Sequence, residues 1–155
     1  MFNFKMKLFI FFLTILSAFI INSCAESAAT APVVKTYYIT AKIGTTNFDA
    51  DNITASYKSG TFLINGIDIG LQQNLITITG LVPSAQNFII GPIGGLNIVT
   101  GNVTITNLGS PTSYNSKNGT LSISKIDSVG ATGTFSFTTD STNVNVTEGK
   151  FNVKF

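Results

Sequence analysis

The sequence predicts an all-β domain: a single antiparallel β-sandwich of about eight to ten strands, with a small up-and-down β-barrel of lipocalin-like form as the alternative. Three observations predict it. Apolar and polar residues alternate with period two through most of residues 35–155, the spacing of a strand with one buried face. Turn-forming pairs interrupt the alternation at roughly eight- to twelve-residue intervals, the rhythm of an all-β chain. No segment after residue 34 keeps apolar residues at helical spacing over about eleven residues. Strand spacing does not choose between sandwich and barrel.

The first strand lies in "KTYYITAKI", where Tyr37, Ile39, Ala41 and Ile43 share one face and Thr36, Tyr38, Thr40 and Lys42 the other. That pattern places Tyr37 in the core. "NFDADN" then reads as a polar turn. Lys58-Ser59-Gly60, Asn65-Gly66, Asn118-Gly119, Asp140-Ser141 and Glu148-Gly149 read as further turns. Between them, "NLITITG" sets Ile76 and Ile78 on one face, and "GNVTITN" does the same with Val103 and Ile105. "GPIGGLNIV" (91–99) reads either as a crossover that tucks Ile93 and Leu96 into the core or as an exposed apolar loop that touches a ligand or partner. "GTLSIS" buries Leu121 and Ile123, "GTFSFTT" buries Phe135 and Phe137, and "GKFNVKF" buries Phe151, Val153 and Phe155. "SYKSGTFLINGID" (56–68) and "SYNSKNGTLSISKID" (113–127) echo one another, as hairpins built from common turn residues do.

The N-terminus has a different pattern. Lys5 and Lys7 precede Leu8–Ile21, 14 residues in which only Thr14 and Ser17 are polar. That length suits the apolar core of a secretory signal and falls short of the ~20 residues of a comfortable membrane span. "IINSC" then resembles a bacterial lipobox, with Ile21 in the aliphatic slot, Ser23 in the small slot and Cys24 in the invariant position. The resemblance implies cleavage before Cys24 and acylation of its thiol and new amine. Two or three buried acyl chains anchor stably where one does not, at ~0.8 kcal/mol per buried CH₂. The expected organisation is a signal peptide over 1–23, a lipidated cysteine and flexible tether over 24–34, and the β domain over 35–155. Ala25, where an aspartate would signal inner-membrane retention, points to the outer membrane. The C-terminal half, with "GTFSF" followed by "GKFNV", resembles a family of small lipoproteins of the Bacteroidetes. That resemblance implies the same address and a β fold, and brings no activity with it.

Charge and composition exclude several function classes. Cleavage before Cys24 leaves seven lysines (35, 42, 58, 117, 125, 150 and 154) and seven acids, so the net charge of +2 belongs to the signal. The mature surface therefore carries no basic excess to attract nucleic acid. Histidine and tryptophan are absent, and every basic residue is lysine. No Ser-His or Cys-His dyad can form, no bidentate guanidinium clamp is present, and acylation would consume the one thiol. No cofactor is implied.

Asp49 and Asp51 are the remaining catalytic pair. At i and i+2 on a strand they would share a face about 7 Å apart, near the spacing of glycosidase carboxylates. With Asn52 they are also weak candidates for a calcium loop, although Thr54 and Gly60 stand where such a loop needs glycine and glutamate. "SISK" (Ser122–Lys125) has the spacing of a serine–lysine motif, but on a strand its two ends point to opposite faces. Asp127-Ser128-Val129 and Asp140-Ser141-Thr142 resemble O-glycosylation acceptors of the same bacterial group and fall at expected turns, which makes Ser128 and Ser141 candidate sites. The Thr-Ile-Thr triplets at 77–79 and 104–106 resemble ice-binding arrays but lack a regular repeat, and threonine is a good strand former. The expectation is a lipid-anchored cell-envelope protein with a non-catalytic binding or structural role, partnered by the membrane through its anchor and by an envelope protein or glycan. The alternatives are a carbohydrate-active hydrolase using Asp49 and Asp51, and a barrel carrying a small apolar ligand.

Overall fold

A computed structural model of the chain describes residues 35–70, 73–93 and 99–155, all within the unit Lys35–Phe155. Ten strands follow one another: β1 (Tyr38–Ile43), β2 (Thr46–Asp49), β3 (Asn52–Lys58), β4 (Thr61–Asp68), β5 (Gln73–Leu81), β6 (Asn87–Gly91), β7 (Val99–Asn107), β8 (Ser110–Ile126), β9 (Gly130–Thr139) and β10 (Val146–Lys154). Among the described residues there is no helix. The all-β class and the number of strands are those the alternation predicts.

The strands form one sheet in the order β2-β1-β10-β9-β8-β6-β7-β5-β4-β3. Two inner layers, which a sandwich would build from two sheets, come here from one sheet curled into a half-barrel. The curl follows from the β2–β3 connection. These strands stand at opposite ends of the sheet order, yet only Ala50 and Asp51 join them. The Ala50 N–H donates to the Ile39 carbonyl of β1 at 2.9 Å, and the next N–H, of Asp51, donates to the Ile67 carbonyl of β4 at 2.8 Å. Consecutive amides thus tie the two ends of the sheet together at one corner. Ala50 is buried there. Gly66 of β4 faces it: a Cβ on Gly66 would stand 3.1 Å from the Ala50 Cβ and 3.2 Å from the Ile39 Cβ.

The concave side is filled. Phe48, Phe62, Phe151, Ile39, Ile64, Ile76, Ile78, Ile90 and Leu121 are all essentially inaccessible to solvent, and each such side chain contributes about 1.5–3 kcal/mol of burial free energy. Aromatic rings hold the two ends of the sheet against each other. Phe62 of β4 lies 5.9 Å from Phe151 of β10 and 6.2 Å, edge-on, from Phe155, which also packs 5.6 Å from Tyr57 of β3. Such pairs add about 0.5–1.5 kcal/mol beyond area burial.

One pairing in the sheet is parallel. β8 is 17 residues long. Its first part, Ser110–Asn115, pairs with β7, and its later part, Gly119–Ser122, pairs with β6. β7 and β8 therefore diverge, and β6 enters between them, antiparallel to β8 and parallel to β7 at Ile90–Val99 and Gly91–Thr100. Ser116 sits at the divergence, 1 % exposed. Its hydroxyl accepts the Gly101 N–H of β7 at 3.0 Å and donates to the Gly91 carbonyl of β6. One side chain thereby bonds the three strands where their ladders part.

Several expected turns are strand interiors. Asn65-Gly66 lies inside β4, where glycine is required by the close approach of Ala50 and Ile39. Asn118-Gly119 lies inside β8, where a Cβ on Gly119 would overlap the Ser136 carbonyl of β9. Residues 113–126 are consequently one strand, whereas 56–68 are a hairpin, so the two echoing segments do not share a structure. Glu148-Gly149 is a bulge within β10: the register shifts between Val146 and Gly149, and Glu148 takes the left-handed φ of 54°. Tyr37 is 45 % exposed and not core, because the β1 ladder begins one residue later, at Tyr38–Asn152. Ile93 is 61 % exposed, just beyond the end of β6, rather than tucked inside. Residues 94–98 of that segment lie outside the described residues, as do Cys24, the expected signal and the tether.

Candidate functional site

Asp49 and Asp51 flank the buried Ala50 at the corner, and each carboxylate has a structural partner. The Lys35 ammonium lies 2.8 Å from Asp49 Oδ1 and also donates to the Ala50 carbonyl at 3.2 Å. Asp51 Oδ2 accepts the Ile69 N–H at 2.9 Å, capping the end of β4. Asn52 is exposed and stands opposite Ile67. Among the described residues no group of three acids, cysteines or histidines is close enough to hold a metal ion. The geometry therefore gives Asp49 and Asp51 separate tasks in closing the sheet.

The two candidate acceptor serines both lie in turns. Ser128 is exposed between β8 and β9. Beside it, Asp127 Oδ1 accepts the Val129 N–H at 2.8 Å and the Gly130 N–H at 3.1 Å, while Oδ2 lies 3.0 Å from the Lys125 ammonium. The Val129 amide above all, then the Lys125 side chain and the Gly130 amide, hold the Asp127 carboxyl below its ordinary value. Ser141 is half-buried between β9 and β10; its N–H donates to the Thr139 hydroxyl, which donates in turn to the Ser141 carbonyl. In the "SISK" segment the register shifts between Ile123 and Lys125, and the lysine is engaged by Asp127.

The surface depressions are open and shallow. One of about 310 Å³ lies over β1, β2 and β10, crossed by the Lys42–Glu148 ion pair at 2.7 Å. Another of about 360 Å³ is lined by Asn118, Thr120, Ser136, Thr138 and Thr147.

A further feature is the outward face of β3, β4, β5, β7 and the first part of β8. These strands pair without a register shift, so outward residues stand in continuous cross-strand rows. Thr54, Asn65, Thr77, Asn102 and Asn115 form the central row, each the direct partner of the next. Asn52, Ile67, Leu75, Thr104 and Ser113 form the row on one side; Ser56, Leu63, Thr79 and Thr100 form that on the other. None of these residues is charged. Bulges interrupt the β1–β10, β9–β10 and β8–β9 ladders, and the ion pairs Lys35–Asp49, Lys42–Glu148 and Lys125–Asp127 lie in that other part of the sheet. The only sign of this face in the sequence is the pair of Thr-Ile-Thr triplets, whose threonines point outward on β5 and β7.

Compared with protein-family models, curated proteins and solved structures, the chain matches none of them.

Proposed function

We propose that this chain is a lipoprotein of the bacterial cell envelope, anchored in the outer membrane through acylated Cys24, whose folded domain is a non-catalytic binding or structural module. The observation that carries the anchoring is "IINSC" directly behind a basic head and a 14-residue apolar run. Acyl chains on Cys24 would hold the domain at the bilayer by way of residues 25–34. The filled concave side supports a module that works through its outer surface: side chains of β1, β4, β5, β9 and β10 occupy the interior that a ligand-carrying barrel would leave open. The corner carboxylates support the same reading, since each is bound to a structural partner.

Growth with labelled fatty acid tests the anchor. Label is expected in the protein and absent from a Cys24→Ala variant. Undiminished label in the variant would overturn the assignment.

A further inference from the structure

We propose that the three uncharged rows on the outward face of β3, β4, β5, β7 and the first part of β8 bind a neutral, extended polysaccharide chain. The proposal rests on the reading of the domain as a binding module and names the class of ligand.

The first argument is charge. The three rows contain only Asn, Thr, Ser, Leu and Ile, while ion pairs concentrate on the other part of the same sheet. Lys58, the one charged outward residue of these strands among the described residues, stands outside the three rows, in the flanking row with Thr61 and Leu81. Rows with no charged side chain offer nothing to compensate the desolvation of an anionic or cationic ligand. They suit a partner rich in hydroxyl groups and free of charge.

The second argument is shape. Adjacent strands stand about 4.8 Å apart, so the central row from Thr54 to Asn115 presents five amide or hydroxyl groups over about 19 Å, and successive rows are about 7 Å apart. A compact ligand would meet one or two of these groups. A linear chain of sugar rings lying across the strands meets all five, because the strand spacing is close to the length of one hexose in an extended glycan.

The third argument is preorganisation. Asn65 Nδ2 donates to Thr54 Oγ1 at 3.2 Å, and Asn102 Nδ2 donates to Asn115 Oδ1 at 2.9 Å and to the Tyr114 carbonyl at 3.2 Å. Thr104 Oγ1 donates to Asn102 Oδ1 at 3.2 Å and lies 2.8 Å from Ser113 Oγ. These bonds fix the rotamers before a ligand arrives, which lowers the entropic cost of binding. They leave hydrogen-bonding capacity at Asn65 Oδ1 and Asn115 Nδ2, and at Thr77, whose hydroxyl has no side-chain partner among the described residues. Leu63, Ile67 and Leu75 stand beside the central row and supply apolar surface for the C–H faces of the sugar rings, in a chain that has no tryptophan to stack on them.

The test is isothermal titration of the full chain, purified in detergent, with neutral hexasaccharides of β-1,4-glucose, β-1,3-glucose and β-1,4-mannose, and with an acidic hexagalacturonate. At least one neutral hexasaccharide is expected to bind, with an affinity that salt does not change, and the acidic one is not. Thr77→Lys, which puts a charge in the central row, and Asn102→Ala, which breaks the fixed network, should each weaken binding at least about tenfold. Lys150→Ala, on the other part of the sheet, should not change it. Circular dichroism melts confirm that the variants are folded, and Asn102→Ala carries the test if Thr77→Lys is not. The proposal is overturned if no neutral hexasaccharide binds, or if both variants bind as the parent does. It is also overturned if the face is occupied by a second copy, seen as a dimer that Thr77→Lys dissociates. Binding lost only in an Asp49→Asn, Asp51→Asn double variant would refute this face and leave the binding module standing. Hydrolysis of a hexasaccharide would refute the module itself.

Discussion

Ser116→Ala probes the place where the sheet is most dependent on one side chain. The hydroxyl is 1 % exposed, accepts the Gly101 N–H and donates to the Gly91 carbonyl. Alanine keeps the Cβ and leaves no room for water to replace the oxygen. The Gly101 N–H has a single hydrogen to give, and leaving a buried donor without an acceptor costs about 1–3 kcal/mol. Loss of the bond to the Gly91 carbonyl adds about 1 kcal/mol. The expected destabilisation is therefore about 2–4 kcal/mol, or a fall in Tm of roughly 10 °C for a domain of this size. The assay is urea unfolding followed by intrinsic tyrosine fluorescence, with Ser113→Ala as control. Ser113 also bonds a neighbour, Thr104, but at the exposed surface, where the loss should stay within about 0.5 kcal/mol. Amide hydrogen exchange should localise the Ser116→Ala effect to β6 and the adjoining residues of β7. A Ser116→Ala loss no larger than that of Ser113→Ala would refute the claim that this hydroxyl holds the three strands together.

Three further outcomes follow from the geometry. Gly66→Val places a branched side chain where even a Cβ would lie 3.1 Å from Ala50; overpacking of about 1–3 kcal/mol is expected, and a melt at the parent temperature would contradict the close approach of β4 to the corner. Asp127→Asn removes the charge that the Val129 amide, Lys125 and the Gly130 amide stabilise in the folded protein. Since the folded carboxyl lies below its ordinary value of 3.8, its contribution is present above that value and is lost as pH falls through the lower folded value. The difference in Tm between parent and Asp127→Asn should hold at neutral pH and close in acid; a difference that widens in acid would reverse the sign. Glycosylation of Ser128 or Ser141 predicts a mass above polypeptide plus lipid, reduced stepwise by Ser128→Ala and Ser141→Ala; masses unaffected by both substitutions would remove these sites.

Much of the fold was legible because burial on a curled sheet has period two. The inward residues of β1, β5, β9, β10 and the later part of β8 are the ones that alternation selects, and Ile39, Ile76, Ile78, Leu121, Phe135, Phe137 and Phe151 are all buried. What misled was glycine. Asn65-Gly66 and Asn118-Gly119 have the composition of turns, yet both glycines serve close approaches, to Ala50 and Ile39 in one case and to the Ser136 carbonyl in the other. These contacts come from elements distant in sequence and leave no local trace. The short strand β6 and its parallel pairing were hidden for the same reason, since the divergence of β7 and β8 is a property of the sheet. The corner acids were legible as a pair but not as separate partners of Lys35 and the Ile69 amide. The face that carries the three uncharged rows was legible only as scattered threonines. Its central row runs from Thr54 to Asn115 and exists because four ladders keep their register.

The most direct test of the envelope assignment is the intact mass of the protein extracted from the membrane fraction. The account predicts residues 24–155 carrying acyl chains on Cys24, with glycan as the only further addition. A full-length mass, or cleavage at another residue without lipid, would contradict it.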